Sequence, residues 1–321
     1  MTRLITAEIA RLLSRRFTSI ALIVLLLGLG GYQLIVNKSL SPLTGEQLAA
    51  AQRAYEQSHQ DWVDNHDKYE RDCRNTGGAP AECTMPEPSL ATFSVDPTPF
   101  KEVATTALEV STVLVALGAF LIAASFIGAE YSSGSIANWL TFIPRRRQVF
   151  WSKLLTIIGF SALLGAFATA LVVSAALVLA RLHGSPIESL TEIAAMGLRS
   201  VLAVVGLTVL GFCAALLTRH TAGAIGVLLG YVVVWFVRRG PLNSLAWAQR
   251  LTPWTPEAGL AAIVGHGYSY SVPIENVTPD GARIEWVERT VSLTHGAVYW
   301  SILLTLAIIG SLLIFRRRDV V

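Results

Sequence analysis

The residues best placed to do work lie in one stretch, from Gly128 to Lys153. Glu130 stands near its start. Gly134 and Ser135 come next as turn formers. Then come the aromatics Trp139 and Phe142, the helix-stopping Pro144, the triplet beginning at Arg145, and finally Lys153. No nucleophile elbow G-x-S-x-G stands out, so this stretch is not expected to break bonds. Its capacity is mechanical and electrostatic. The spacing predicts a short amphipathic helix between a Gly-Ser turn and a proline stop. Charges flank it on both sides.

Catalytic motifs are missing elsewhere. No G-x-x-x-x-G-K-[ST] loop occurs, and the dipeptide Gly-Lys is absent, so nucleotide binding in the P-loop manner is excluded. There is no H-E-x-x-H, and the histidines do not cluster on one helix face. No cysteine spacing suggests zinc or an iron–sulfur cluster. The chain is therefore expected to be no enzyme, to hold no metal or cofactor, and to bind no nucleic acid.

The elements that position these residues are set by composition. Of 321 residues, 53% are hydrophobic and 15% charged, against about 25% charged in soluble domains. The mean hydropathy is +0.53. A spanning helix needs roughly 20 mostly apolar residues. Six segments approach that: Phe17–Val36, Thr106–Ile127, Leu154–Ala180, Ile193–Leu217, Ala222–Val237 (the shortest) and Ala297–Phe315. The expected fold class is an all-α membrane protein with about six transmembrane helices. The first apolar run is long enough to span, and no small-x-small cleavage site comes after it, so no cleavable signal peptide is expected.

Sidedness is read from charge. The basic clusters Arg15–Arg16, Arg145–Arg147 and Arg316–Arg318 flank spans on one side, and the pair Arg238–Arg239 falls on the other. The positive-inside bias then places both termini in the cytoplasm. The domain plan is an interfacial helix at 1–16, span one at 17–36, and an extracellular helical insertion at 37–105. Spans two to five occupy 106–237, with a cytoplasmic loop at 128–153. An extracellular segment at 238–296 precedes span six and a basic tail at 297–321.

Smaller signals fall within this plan. Residues 2–16 place Leu4, Ile5, Ile9, Leu12 and Leu13 near one side of a helix, with Arg3, Glu8, Arg11 and Arg15 away from it, as for a helix lying in the membrane interface. Thr44–Gln47 has the form of a capping box, and Leu48, Tyr55, Trp62 and Tyr69 recur every seven residues along the helix it would open. Cys73 and Cys83 flank a Gly-Gly-Ala-Pro turn, and outside the cell a disulfide is expected there. The short apolar run Ala258–Val264 suits an interfacial or re-entrant helix. Thr278–Gly281 is turn chemistry between two strand-like runs, Tyr268–Asn276 and Ala282–Arg289, and predicts a small β-hairpin. Within the spans, Glu109 and Arg199 are candidates for a pair across helices, since intramembrane charges are costly alone. Gly28 and Gly31 in span one, and Gly226 and Gly230 in span five, allow close helix contact.

The order acidic residue, Gly-Ser-hydrophobic turn, Pro, basic cluster and Lys at the next span resembles the cytoplasmic loop of type-two ABC exporter permeases. Glu130, Gly134, Ser135, Pro144 and Lys153 carry that likeness, with Ser152 where Gly is frequent. The closing Phe315–Asp319 resembles the family's F-x-R-R-D. The resemblance implies a coupling helix, with Trp139, Phe142 and Arg145, seated in a separate ATPase subunit. It also implies two ATPase copies that bind ATP and magnesium, and a second permease copy meeting this one through spans one and five. The setting it implies is the bacterial plasma membrane, the act export of an unidentified substrate; the few charges in the spans lean towards a lipophilic or amphiphilic one. Two other readings stay open: a sensor or immunity scaffold that binds a ligand through 44–73, and an ion-coupled secondary transporter.

Overall fold

A computed structural model of the protein describes residues 2–76, 83–93, 98–136, 145–243, 245–278 and 281–317. The described elements begin with α1 (Thr2–Leu13), α2 (Arg16–Leu40), α3 (Gly45–Asn75), α4 (Leu90–Phe93) and α5 (Phe100–Ser132). They continue with α6 (Arg146–Leu182), α7 (Leu190–Thr218), α8 (Thr221–Arg239), α9 (Ala246–Arg250) and α10 (Pro256–Gly265). The strands β1 (Tyr268–Thr278) and β2 (Gly281–Val291) precede α11 (Leu293–Arg317).

Six helices, α2, α5, α6, α7, α8 and α11, are long and apolar enough to cross a membrane. Each extends past the apolar window read from sequence; α5 opens at Phe100, with Pro99 at its N-cap, instead of at Thr106. Backbone groups leaving the hydrocarbon still need partners, and continuing the helix supplies them. The helices α5 and α7 form the centre. In their apolar windows 61% and 56% of residues are buried, against 6% in α8 and 11% in α2. Small residues let α5 and α7 approach closely. A Cβ at Gly211 would lie 2.6 Å from the Phe120 carbonyl oxygen.

One end of the bundle carries α1, the ends of α5 and α11, and the start of α6. Here Phe150 packs edge-on against Phe212 at 5.6 Å, with Phe315 close behind. Arg146 Nη1 donates to the carbonyls of Phe315 and Arg316 at 3.4 Å, meeting the unpaired acceptors at the end of α11. The sequence pattern puts Glu8 on the polar, outward side of α1. The structure divides the stripe instead: Glu8 and Leu12 are 1% exposed, while Ile9 and Leu13 are 42% and 53% exposed. Residues four apart share a helix face, so the face that packs on α6 takes Glu8 together with Leu12.

The other end carries α9, α10, the hairpin and the α3 arm. Thr44 and Gln47 form the capping box that opens α3. The arm folds back through 83–93. Trp62 Nε1 donates to the Met85 carbonyl at 3.0 Å, Met85 N donates to Glu70 Oε1 at 3.0 Å, and Cys73 is disulfide-bonded to Cys83. Tyr55, His59, Trp62 and His66 form a ring ladder down one side, with Trp62 and His66 stacked at 4.2 Å. β1 and β2 pair antiparallel with Tyr268 opposite Val291 and Val272 opposite Val287. Pro279 and Asp280 of the expected turn lie outside the described residues. α10 lies against α11, where a Cβ at Gly296 would meet the Gly259 carbonyl at 2.5 Å.

Candidate functional site

The main polar feature of the fold is a cluster of four charges at the α1 end, three of them buried and Arg15 half-buried. Glu130 comes from the last turns of α5, Lys153 from the first turns of α6, Glu8 from α1, and Arg15 from the joint between α1 and α2. Lys153 Nζ donates to Glu8 Oε1 at 2.9 Å and Oε2 at 2.8 Å. The same Nζ lies 2.6 Å from Glu130 Oε2, as an ion pair without hydrogen-bond alignment. Arg15 Nη2 donates to Glu130 Oε1 at 3.3 Å, and Nη1 donates to the Ser125 carbonyl at 3.1 Å. The side chains of Lys153, Glu130 and Glu8 are 4%, 3% and 2% exposed. Both cations lie 5.0 Å from the Phe126 ring centre.

Two cations and two anions leave the cluster neutral. That balance is what makes it tolerable, because an unpaired charge at this depth costs several kcal/mol, of order 3–5 when one partner is removed. Burial lowers the Arg15 pKa from its ordinary value, and Glu130 and then Glu8 oppose the shift. A guanidinium starts so high that it stays charged. The cluster fixes three helices to one another with short, directional contacts.

The loop read as the working segment begins directly beyond this cluster. Gly134 closes α5 with φ of +67°, the left-handed backbone that glycine adopts without steric cost. The Ser135 hydroxyl donates to the Glu130 carbonyl at 3.3 Å, and Ile136 is 2% exposed. Arg145 is the N-cap of α6. Trp139, Phe142 and Pro144 lie outside the described residues.

The glycines divide into two groups. Gly28, Gly31, Gly226 and Gly230 have nothing within 4 Å of an added Cβ, so they serve no packing inside this chain. Gly128 differs: its Cβ would fall 2.3 Å from Thr221 N, where α5 and α8 touch. The expected pair of Glu109 and Arg199 is not made, since no ion pair joins them among the described residues. Helical phase explains this. Glu109 shares the exposed face of α5 with Val113 (53% exposed) and points towards Gly265, while the buried face of α5 meets α7. Arg199 Nε is buried without a hydrogen-bond partner.

A second polar cluster is not legible in the sequence. Arg238 Nη2 and the Tyr231 hydroxyl both donate to Glu257, joining the far end of α8 to α10. Arg238 Nη1 donates to Thr252 Oγ1 at 3.1 Å. The pair that opposes the charge bias is thus half neutralised by a local carboxylate. Glu8 and Arg15 are equally hidden as partners. One signal for Glu8 exists, as the sole acid in an otherwise basic and apolar helix. Among the described residues no group of three or more His, Cys, Asp or Glu is placed to hold a metal. Compared with known proteins, the chain matches no family model, no curated protein and no solved structure.

Proposed function

We propose that this chain is the membrane-spanning permease subunit of an ATP-driven exporter of the type-two ABC class. The observation that carries the reading is the Glu8–Lys153–Glu130–Arg15 cluster at the root of the loop. It joins α1, α5 and α6 where a coupling helix with Trp139 and Phe142 would meet an ATPase. Displacement of that loop would then move the ends of two spans and the interfacial helix as one body. Glu130 and Lys153 act in this reading as the clamp behind the coupling helix, and Arg145 and the exposed loop residues face the partner. ATP and magnesium belong to the two partner ATPases.

The remaining parts fit the same assembly. The poorly buried α2 and α8, with their open glycines, supply a seam for a second permease copy. Both termini lie in the cytoplasm of a bacterial plasma membrane, with α3, the hairpin and α10 outside. The cargo is lipophilic or amphiphilic. A sensor scaffold is the second reading, favoured by one feature: α3 leaves Leu48, Val63 and Tyr69 more than 40% exposed on a disulfide-clipped arm.

The test is purification of the tagged protein from its native membrane in mild detergent, with nucleotide hydrolysis measured on what accompanies it. The permease reading expects an ATPase to co-purify, and Trp139→Ala to release it. A pure chain with no hydrolysing partner contradicts the reading.

A further inference from the structure

Beside the Glu257 cluster, between the end of α8 and the hairpin, lies a cavity of about 180 Å³. Its walls combine Arg239 with the rings of Tyr268 and Trp286, and its floor carries Asn243 and Gln249. The floor is built. Gln249 is 8% exposed and donates to the Asn243 carbonyl at 2.9 Å. The neighbouring Thr252 hydroxyl, 1% exposed, receives a bond from Arg238.

The two adjacent arginines have different fates. Arg238 is neutralised by Glu257. Arg239 bonds only the Tyr268 hydroxyl and stacks on that ring at 5.8 Å, and no carboxylate pairs with it among the described residues. Glu288, opposite Ser271 in the hairpin, is exposed and does not line the cavity. A guanidinium with free donors matches a phosphate fork. The amides and hydroxyls around it match a ligand's own hydroxyls, and aromatic rings are favoured at headgroup depth. The volume is below the roughly 300 Å³ usual for a drug-sized ligand, which suits a headgroup and not a whole lipid.

We propose that this cavity binds a phosphate-bearing, hydroxylated headgroup at the membrane surface, with Arg239 as the anion contact. The site stands on the α8–hairpin geometry alone and does not depend on an ATPase partner. The experiment is isothermal titration of the full-length protein in neutral maltoside micelles with three probes: dioctanoyl phosphatidylglycerol, dioctanoylglycerol and glycerol phosphate. Phosphatidylglycerol is expected to bind the wild type about tenfold tighter than dioctanoylglycerol, which lacks the phosphate, because charged hydrogen bonds of this kind contribute that much. Arg239→Gln should remove the difference, Arg239→Lys should restore part of it, and Arg250→Gln, an exposed arginine outside the cavity, should leave it intact. Glycerol phosphate binding as tightly as the lipid would assign the site to soluble phosphoesters, and weaker binding would assign it to a leaflet headgroup. Equal affinity for the two lipids, or equal effects of Arg239→Gln and Arg250→Gln, overturns the proposal.

Discussion

Lys153 joins both carboxylates of the cluster. It is buried against them and a ring, and among the described residues it makes the one direct ion pair to Glu8. Lys153→Met should therefore destabilise the protein by roughly 3–5 kcal/mol, the cost of leaving a partner charged and alone. Adding Glu8→Gln restores a neutral cluster of Arg15 and Glu130, and should recover more than half of that loss. Thermal unfolding in detergent, followed by tryptophan fluorescence, measures both. An additive double mutant would mean that the contacts are not coupled. Glu130 and Lys153 are legible in the sequence by their places at span ends. Their partners are not, because 145 positions separate Lys153 from Glu8, and no local pattern reports a contact of that range. On α1 the sequence stripe groups Leu12 with Ile9 and Leu13, whereas packing buries Leu12 with Glu8, one turn away.

At the scale of elements, close backbone crossings fix how helices meet. Gly296→Ala would place a Cβ against the Gly259 carbonyl, which is backbone and cannot turn aside. The expected cost is about 1–3 kcal/mol, read as a lower midpoint of thermal unfolding. The arm behaves differently. Breaking the Cys73–Cys83 link removes a short-loop constraint of ~3 kcal/mol on the chain-entropy account. The element that packs substantially on α3 is its own α4, so Cys73→Ser should raise hydrogen exchange in 83–93 and leave that of α5 and α7 unchanged. Faster exchange in the two central helices would show that the arm braces the bundle. The capping box at Thr44 and the hairpin strands are readable in advance because their signals are local. The histidines that complete the ladder on α3 are not, since the seven-residue stripe names only Tyr55 and Trp62 in it.

At the scale of the whole molecule, the six spans can be read from hydrophobic length, but their ranks cannot. In sequence α2, α5, α7 and α8 have similar apolar character, while the fold buries the centre of α5 and α7 and leaves α2 and α8 bare. Runs of small residues do not tell packing within a chain from packing between chains. Gly226 and Gly230 open that question to experiment. Among the described residues an added Cβ at either meets nothing within 4 Å, so Gly226→Leu with Gly230→Leu should keep the single-chain fold and its unfolding temperature. If α8 lies at the seam between copies, the same pair should weaken self-association at least about tenfold, measured by energy transfer between labelled copies in vesicles. Unchanged association would move the seam elsewhere.

The most direct test of the account compares nucleotide hydrolysis by the co-purified complex for wild type, Trp139→Ala and the charge-balanced Lys153→Met/Glu8→Gln double variant. The clamp account predicts that the double variant still retains an ATPase partner but loses the dependence of hydrolysis on the permease, while Trp139→Ala loses the partner itself. Wild-type protein that brings no hydrolysing partner out of its own membrane, or a double variant with fully coupled hydrolysis, would contradict it.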